Sequence, residues 1–168
     1  MIKIGNNLYE WSSYSCQQKT KDELKDIIEE RIFNGGIKCD LNDIDVSLIT
    51  DMSLLFYDSK FNGDISKWDV SNVKNMSDMF TYSEFNQLIG NWNISNVTNM
   101  SSMFYESNFN QDISKWDVNN VNNMGGMFCG SKFNQDISNW KIRKDCYTIN
   151  VFLFCPIKEE FKPKLNNI

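Results

Sequence analysis

Large apolar side chains recur along this chain at one fixed interval. Trp68, Trp92, Trp116 and Trp140 are spaced 24 residues apart. The same interval joins Met52, Met76, Met100 and Met124, then Phe56, Phe80, Phe104 and Phe128. It also joins Phe61, Phe85, Phe109 and Phe133, and Ile65, Ile89, Ile113 and Ile137. Polar positions keep the same step, with Asn62, Asn86, Asn110 and Asn134 in one column and Ser59, Ser83, Ser107 and Ser131 in another. No insertion or deletion interrupts the series, which divides into units 45–68, 69–92, 93–116 and 117–140. A period of this length marks a repeat architecture, in which one unit cannot bury its own apolar face and neighbours laid together make a continuous core.

Within a unit, Val73, Met76, Met79 and Phe80 follow i, i+3, i+6, i+7 spacing. That spacing predicts a short helix or helical turn over the N-M-S-x-M-F segment, apolar side inward. The segment F-N-Q-D-I-S-x-W-D-V carries Ile and Val, and predicts an extended stretch whose short strand pairs with its copy in the next unit. The expected fold is therefore an α/β repeat solenoid, a stack of 24-residue units each made of a short strand plus a short helix or turn. Such stacks need closed ends. Thr20-Lys21-Asp22-Glu23 reads as a capping box, and Leu24, Ile27, Ile28 and Ile32 form one stripe ending near Gly35-Gly36. These features predict a helical N-terminal cap over about 21–33 within segment 1–44. Residues 37–44 read as a degenerate unit, with Ile37, Leu41 and Ile44 in the Phe, Ile and Trp columns. After Trp140 the motif decays, yet Val151, Phe152, Ile157 and Phe161 still lie 24 residues after Met127, Phe128, Phe133 and Ile137. Pro156 and Pro163 then end regular structure, so 141–168 is expected to be a C-terminal cap on a single domain of 168 residues.

Composition sharpens this picture. Twelve Phe, eight Met and five Trp mean a core of large side chains. The formal charge of −5 argues against direct nucleic-acid binding, which needs a basic surface. No run of roughly 18 apolar residues predicts a membrane helix, and Met1–Lys19 lacks a signal-peptide pattern. The expectation is a cytoplasmic monomer, at the cell surface only if exported by another route or if the chain is a trimmed form. Five Cys (16, 39, 129, 146 and 155) with no CxxC pair and no His predict free thiols in small core gaps rather than disulfides or zinc.

The motifs N-V-T-N-M-S-S-M-F (96–104) and F-N-Q-D-I-S-K-W-D-V (109–118) resemble the BspA-like surface-protein repeat, a divergent leucine-rich-repeat relative also found in mycoplasma lipoproteins. The resemblance covers about 45–140. It implies a leucine-rich-repeat-like solenoid, often on cell surfaces and sometimes binding host matrix proteins.

Candidate chemistry is sparse. The Met columns read as packing rather than a soft-metal site. The Asn75, Asn99, Asn123 column and the Asn62 column read as groups that satisfy turn backbone. Asp45, Asp69 and Asp117 form one carboxylate line, broken by Asn93. Asp64, Asp112 and Asp136 form another, broken by Leu88. Without a Gly-rich pattern they read as turn caps, not calcium ligands. Cys129 has no evident base beside it. No catalytic, cofactor or metal residues are expected, and the chain reads as a non-enzyme. Columns that vary between units are expected to face solvent, including Thr81, Asn108, Cys129, Gly130 and Lys132. Within them the candidate protein-binding residues are Tyr57, Asp58, Lys60, Tyr82, Glu84, Tyr105 and Glu106, with Leu88 as an exposed anchor. The expected function is a protein-binding module with another protein as partner, in its intracellular form an inhibitor or immunity-type protein. The alternative is a surface adhesin fragment that binds host matrix protein or glycan.

Overall fold

The computed structural model describes residues 20–165 and the backbone of two short strands, β1 (Lys3–Ile4) and β2 (Asn7–Leu8). These strands pair antiparallel, Lys3 opposite Leu8. Most of Met1–Lys19, including Cys16 and the stretch read for a signal peptide, lies outside the described residues.

The helix α1 spans Lys21–Gly35. Thr20 starts it, its hydroxyl accepting the Glu23 N–H at 3.2 Å, and Gly36 ends it at φ 80°. Leu24 and Ile28 are buried in the common core, with Ile27 and Ile32 packed partly against it. Polar ties fix the helix to the degenerate unit and to the first full one. Arg31 forks onto both Asp43 oxygens at 2.8 and 2.9 Å, and Lys21 Nζ donates to Ser53 Oγ at 3.0 Å. The Arg31 guanidinium in turn holds the Asp43 carboxyl below its ordinary range. Leu41 and Ile44 are buried as expected of a degenerate unit. Ile37 is not; it is 43% exposed, because only the 37–44 segment runs there and its carbonyl, not its side chain, meets the next unit by accepting Asn62 N–H.

From residue 45 onward, positions 24 apart meet. Parallel bridges join Asp51 to Asn75, Asn75 to Asn99, Asn99 to Asn123 and Asn123 to Tyr147. The N–H groups of Met52, Leu54, Phe56 and Asp58 donate to the carbonyls of Asn75, Ser77, Met79 and Thr81, and each later junction repeats the four bonds at 2.8–3.1 Å. Side chains follow suit. Phe56, Phe80, Phe104, Phe128 and Phe152 form a file with ring centroids 5.4–5.8 Å apart. A second file, Phe61, Phe85, Phe109 and Phe133, lies beside it at 6.3–6.4 Å spacing. The Met columns are fully buried, and the four tryptophans of the repeat are 3–5% exposed. Each indole N–H donates to a carbonyl of the preceding unit, as Trp92 does to Ile65 at 3.2 Å. In a core this dense, side chains of fixed shape set the distance between units.

One local expectation is narrowed and another corrected. Of the helix or turn expected for the N-M-S-x-M-F segment, the turn is what forms. It is a run of overlapping turns in which Leu55, Tyr57 and Ser59 bond to Met52, Leu54 and Phe56 three residues back. The apolar spacing suits such turns as well as a helix, and a helix of one or two turns is marginal by itself. The turns release every second N–H to the next unit, which a helix would have consumed. They require left-handed backbone at two positions per unit. One column is Leu54, Asp78, Ser102, Gly126 and Asn150; the other is Asp58, Tyr82, Glu106, Gly130 and Phe154. Left-handed backbone costs a residue with a Cβ about 1–2 kcal/mol, so most units carry strain that Gly126 and Gly130 avoid. Asp78→Gly is expected to raise stability by about 1 kcal/mol in a denaturant titration, after the entropy glycine loses on folding. That residue is half-buried, and burial pushes its carboxyl above the ordinary range, so removing it also relieves a desolvated charge.

The F-N-Q-D-I-S-x-W segment forms no strand among the described residues. Its Asn column replaces the ladder. Asn62 Oδ1 accepts the Asn86 N–H at 2.9 Å, and Asn86 and Asn110 accept those of Asn110 and Asn134 at 2.8 Å. Gln87, Gln111 and Gln135 add side-chain amide bonds to the same acceptors. Side-chain carbonyls thus take the donors that a strand would have given to backbone.

Candidate functional site

The tyrosines of the variable columns come together. Tyr57 and Tyr82 lie edge to face with centroids 5.8 Å apart, and Tyr82 and Tyr105 repeat the contact at 5.5 Å. Tyr57 is 47% and Tyr82 43% exposed, while Tyr105 is half-buried. Tyr57 and Tyr105 share one column, and Tyr82 belongs to the next, where its left-handed backbone swings it into line with the other two. Edge-to-face pairs of this kind are favourable and hold the rings in fixed orientation. The Glu106 carboxylate beside Tyr105 holds that phenol above its ordinary range, so it remains a hydrogen-bond donor. Asp58, Lys60, Glu84 and Glu106 are exposed around this ladder.

Leu88 is 68% exposed, but it stands six residues beyond Tyr82 in the Asp64, Asp112, Asp136 column, away from the tyrosine columns. Two expected surface positions are inside. Thr81 is 3% and Cys129 7% exposed. Both occupy the Tyr57 column with small side chains, which turn in where tyrosine must turn out. The Thr81 hydroxyl donates to the Ser102 carbonyl. Burial first, then Glu106, pushes the Cys129 thiol up, so it stays protonated. Asn108 and Gly130 are half-buried, while Lys132 is exposed.

The carboxylate columns are turn residues. Asp64, Asp112 and Asp136 accept the N–H of Ser66, Ser114 and Ser138 at 2.8–2.9 Å. Asp45, Asp69 and Asp117 do the same two residues ahead at 2.9–3.1 Å. These backbone donors hold Asp64 and Asp112 below the ordinary carboxyl range. Asn75, Asn99 and Asn123 accept in the same way at 3.0–3.1 Å. Cys39, Cys129 and Cys155 are free thiols, half-buried or buried, and Cys146 is buried.

Residues 28–140, more than half of the chain, match the family described as Mycoplasma protein of unknown function, DUF285. The chain belongs to this DUF285 family. The match begins inside α1 and ends on Trp140, so it spans all four repeat units and the last part of the helix from Ile28. No curated protein and no solved structure matches the chain. Nothing in the family description assigns a role to the tyrosine ladder, whose rings the sequence pattern places in neighbouring columns without showing that they touch.

Proposed function

We propose that this DUF285 protein is a non-catalytic protein-binding module, a leucine-rich-repeat-like solenoid whose exposed face engages another protein. One observation carries the reading: the Tyr57–Tyr82–Tyr105 ladder, an exposed aromatic run held on a rigid core. Tyrosine fixed in this way offers large contact area at little entropy cost, and the surrounding Asp58, Lys60, Glu84 and Glu106 supply a polar rim. The absence of His from the sequence and the protonated state of the Cys129 thiol favour binding over catalysis. Acting by occlusion, the module is an inhibitor or immunity-type protein of the cytoplasm.

The test compares the wild type with the variant carrying Tyr57→Ser, Tyr82→Ser and Tyr105→Ser in pull-downs from native cytosol. The wild type is expected to retain a stoichiometric protein that the variant loses. Removing the two ring pairs costs the fold about 1–3 kcal/mol, and the variant is expected to keep its melting cooperativity. A wild type that retains no stoichiometric partner counts against the proposal, and so does a variant that binds as well as wild type. Loss of binding on Leu88→Asp alone moves the face to the Asp column.

The motifs at 96–104 and 109–118 support a second reading as a BspA-like surface repeat, in which the same face binds host matrix protein or glycan. Fractionation of the native product separates the two. Recovery in the cytosol alone removes the adhesin reading.

A further inference from the structure

Along the turn segments the inter-unit hydrogen bonds run one way. There, alternate N–H groups point to the following unit and alternate carbonyls to the preceding one, while the remaining groups close the local turns; at the flanks of the turns bonds run back, as the Lys74 N–H donates to the Thr50 carbonyl and the Glu84 N–H to that of Ser59. The last turn keeps this backbone, with Asn150 at φ 58° and Phe154 at φ 57° in the two left-handed columns. Its carbonyls at Tyr147, Ile149, Val151 and Leu153 accept from the unit before. Its own outward donors, the N–H groups of Thr148, Asn150, Phe152 and Phe154, have no partner among the described residues. Residues 155–165 supply no acceptor to them. They return over the other side of the unit, where Phe161 O accepts the Ile137 N–H, Asn134 Oδ1 accepts the Lys158 N–H, and Ile157 is buried.

The side chains along this edge are the reverse of a solvent cap. Ile149 is 57% exposed in a column that elsewhere holds Ser53, Ser77, Ser101 and Gly125. Phe154 is 84% exposed where earlier units place Asp58, Tyr82, Glu106 and Gly130. Leu153 is exposed between them. An edge that faces water is expected to be polar; here Ile149, Leu153 and Phe154 make it apolar.

We propose that this edge docks a second polypeptide built of the same kind of unit, which enters with its carbonyl-presenting, N-terminal edge. Polarity selects the occupant. Four backbone donors in a row need a row of acceptors, so two copies of this edge cannot pair with each other. A head-to-tail second copy is blocked as well. Its acceptor edge at residues 51–57 lies under α1, where Ser53 and Leu55 are buried and Lys21 is bonded to Ser53. A partner with a free acceptor row reproduces the junction already made four times within this chain, and its phenylalanine extends the file that stops at Phe152, where Lys162 stands 6.0 Å from the ring.

The experiment mixes the full wild-type chain with a full-length probe whose acceptor edge is uncovered by Leu24→Asp with Ile28→Asp. If that probe is unfolded by near-ultraviolet circular dichroism, Lys21→Ala with Arg31→Ala, which cuts only the polar ties of α1, replaces it. Amide hydrogen exchange is followed on the wild type. Alone, the Asn150, Phe152 and Phe154 amides are expected to exchange at least about tenfold faster than those of Gly126, Phe128 and Gly130. With the probe they slow by about tenfold or more, and Ile149→Asp with Phe154→Asp in the wild-type chain removes the effect. Protected 150–154 amides in the wild type alone, as monomer or self-associated, overturn the proposal. So does a folded probe that leaves them unprotected, or binding indifferent to the two Asp substitutions. These outcomes leave the tyrosine face untouched, since Tyr57, Tyr82 and Tyr105 lie in the first three units and not on this edge.

Discussion

Trp92→Ala is expected to lower the unfolding free energy by about 3–5 kcal/mol, the range for deleting a large aromatic side chain from a packed interior. Trp92 is 4% exposed and belongs to one of the two middle units. Its neighbours are held at the spacing of the phenylalanine files, so the cavity cannot close by a local shift. The substitution also leaves the Ile65 carbonyl without the indole donor at 3.2 Å, adding the cost of an unpaired buried acceptor. Trp92→Phe keeps most of the volume and is expected to cost less, about 1–2 kcal/mol. Chemical denaturation followed at Trp fluorescence and far-ultraviolet circular dichroism measures both. A loss below about 1 kcal/mol for the alanine variant would show that the indole is not a packing element.

Gly90→Ala is expected to cost about 3 kcal/mol, at the upper end for forcing atoms into a filled site. A Cβ at residue 90 would lie 2.3 Å from the backbone oxygen of Asp112. Backbone cannot rotate away as a side chain would, so the second and third units must separate locally. The other units carry Ser66, Ser114 and Ser138 at this position, each donating its N–H to an Asp two residues earlier. Leu88 offers no such acceptor, and the chain in its unit takes a path that only glycine fits. Gly36→Ala tests backbone conformation by itself. No atom lies within 4 Å of its Cβ, but φ 80° with ψ 169° is backbone essentially confined to glycine. About 1–3 kcal/mol is expected there. A loss below about 1 kcal/mol for Gly90→Ala, measured by denaturant midpoints, would mean that the close approach to Asp112 is relieved without strain.

The periodicity is legible in the sequence because each buried column needs one residue type to preserve the spacing between units. Phe56, Phe80, Phe104 and Phe128 are repeated for that reason, and the same holds for the Trp column. The cap of α1 is legible from Thr20 and Gly36, which carry the hydrogen bond and the positive φ that begin and end it. The local conformation is not. Left-handed positions are usually signalled by glycine, yet here they hold Leu54, Asp78, Tyr82 and Glu106, and only one unit shows the Gly126–Gly130 pair. The two left-handed columns therefore look like ordinary surface variation. Inside and outside are also hard to read where size decides direction. Thr81 and Cys129 share a column with Tyr57 and Tyr105, and a column rule cannot separate a small side chain that turns in from a large one that turns out. The open donor edge leaves only a faint trace, the apolar Ile149 and Phe154 in columns otherwise small or polar.

The in-register hydrogen bonding between units also bears on how chains of this kind change length. Duplication of a whole 24-residue segment inserts a unit that carries both of its edges, so every new donor meets an acceptor already in register. Loss of a whole segment rejoins two matching edges in the same manner. A slip of one residue has no such refuge, because it carries the left-handed positions onto residues facing the core and sends donors toward donors. Recombination between repeats is thus expected to be tolerated only in whole units, each junction staying as it was.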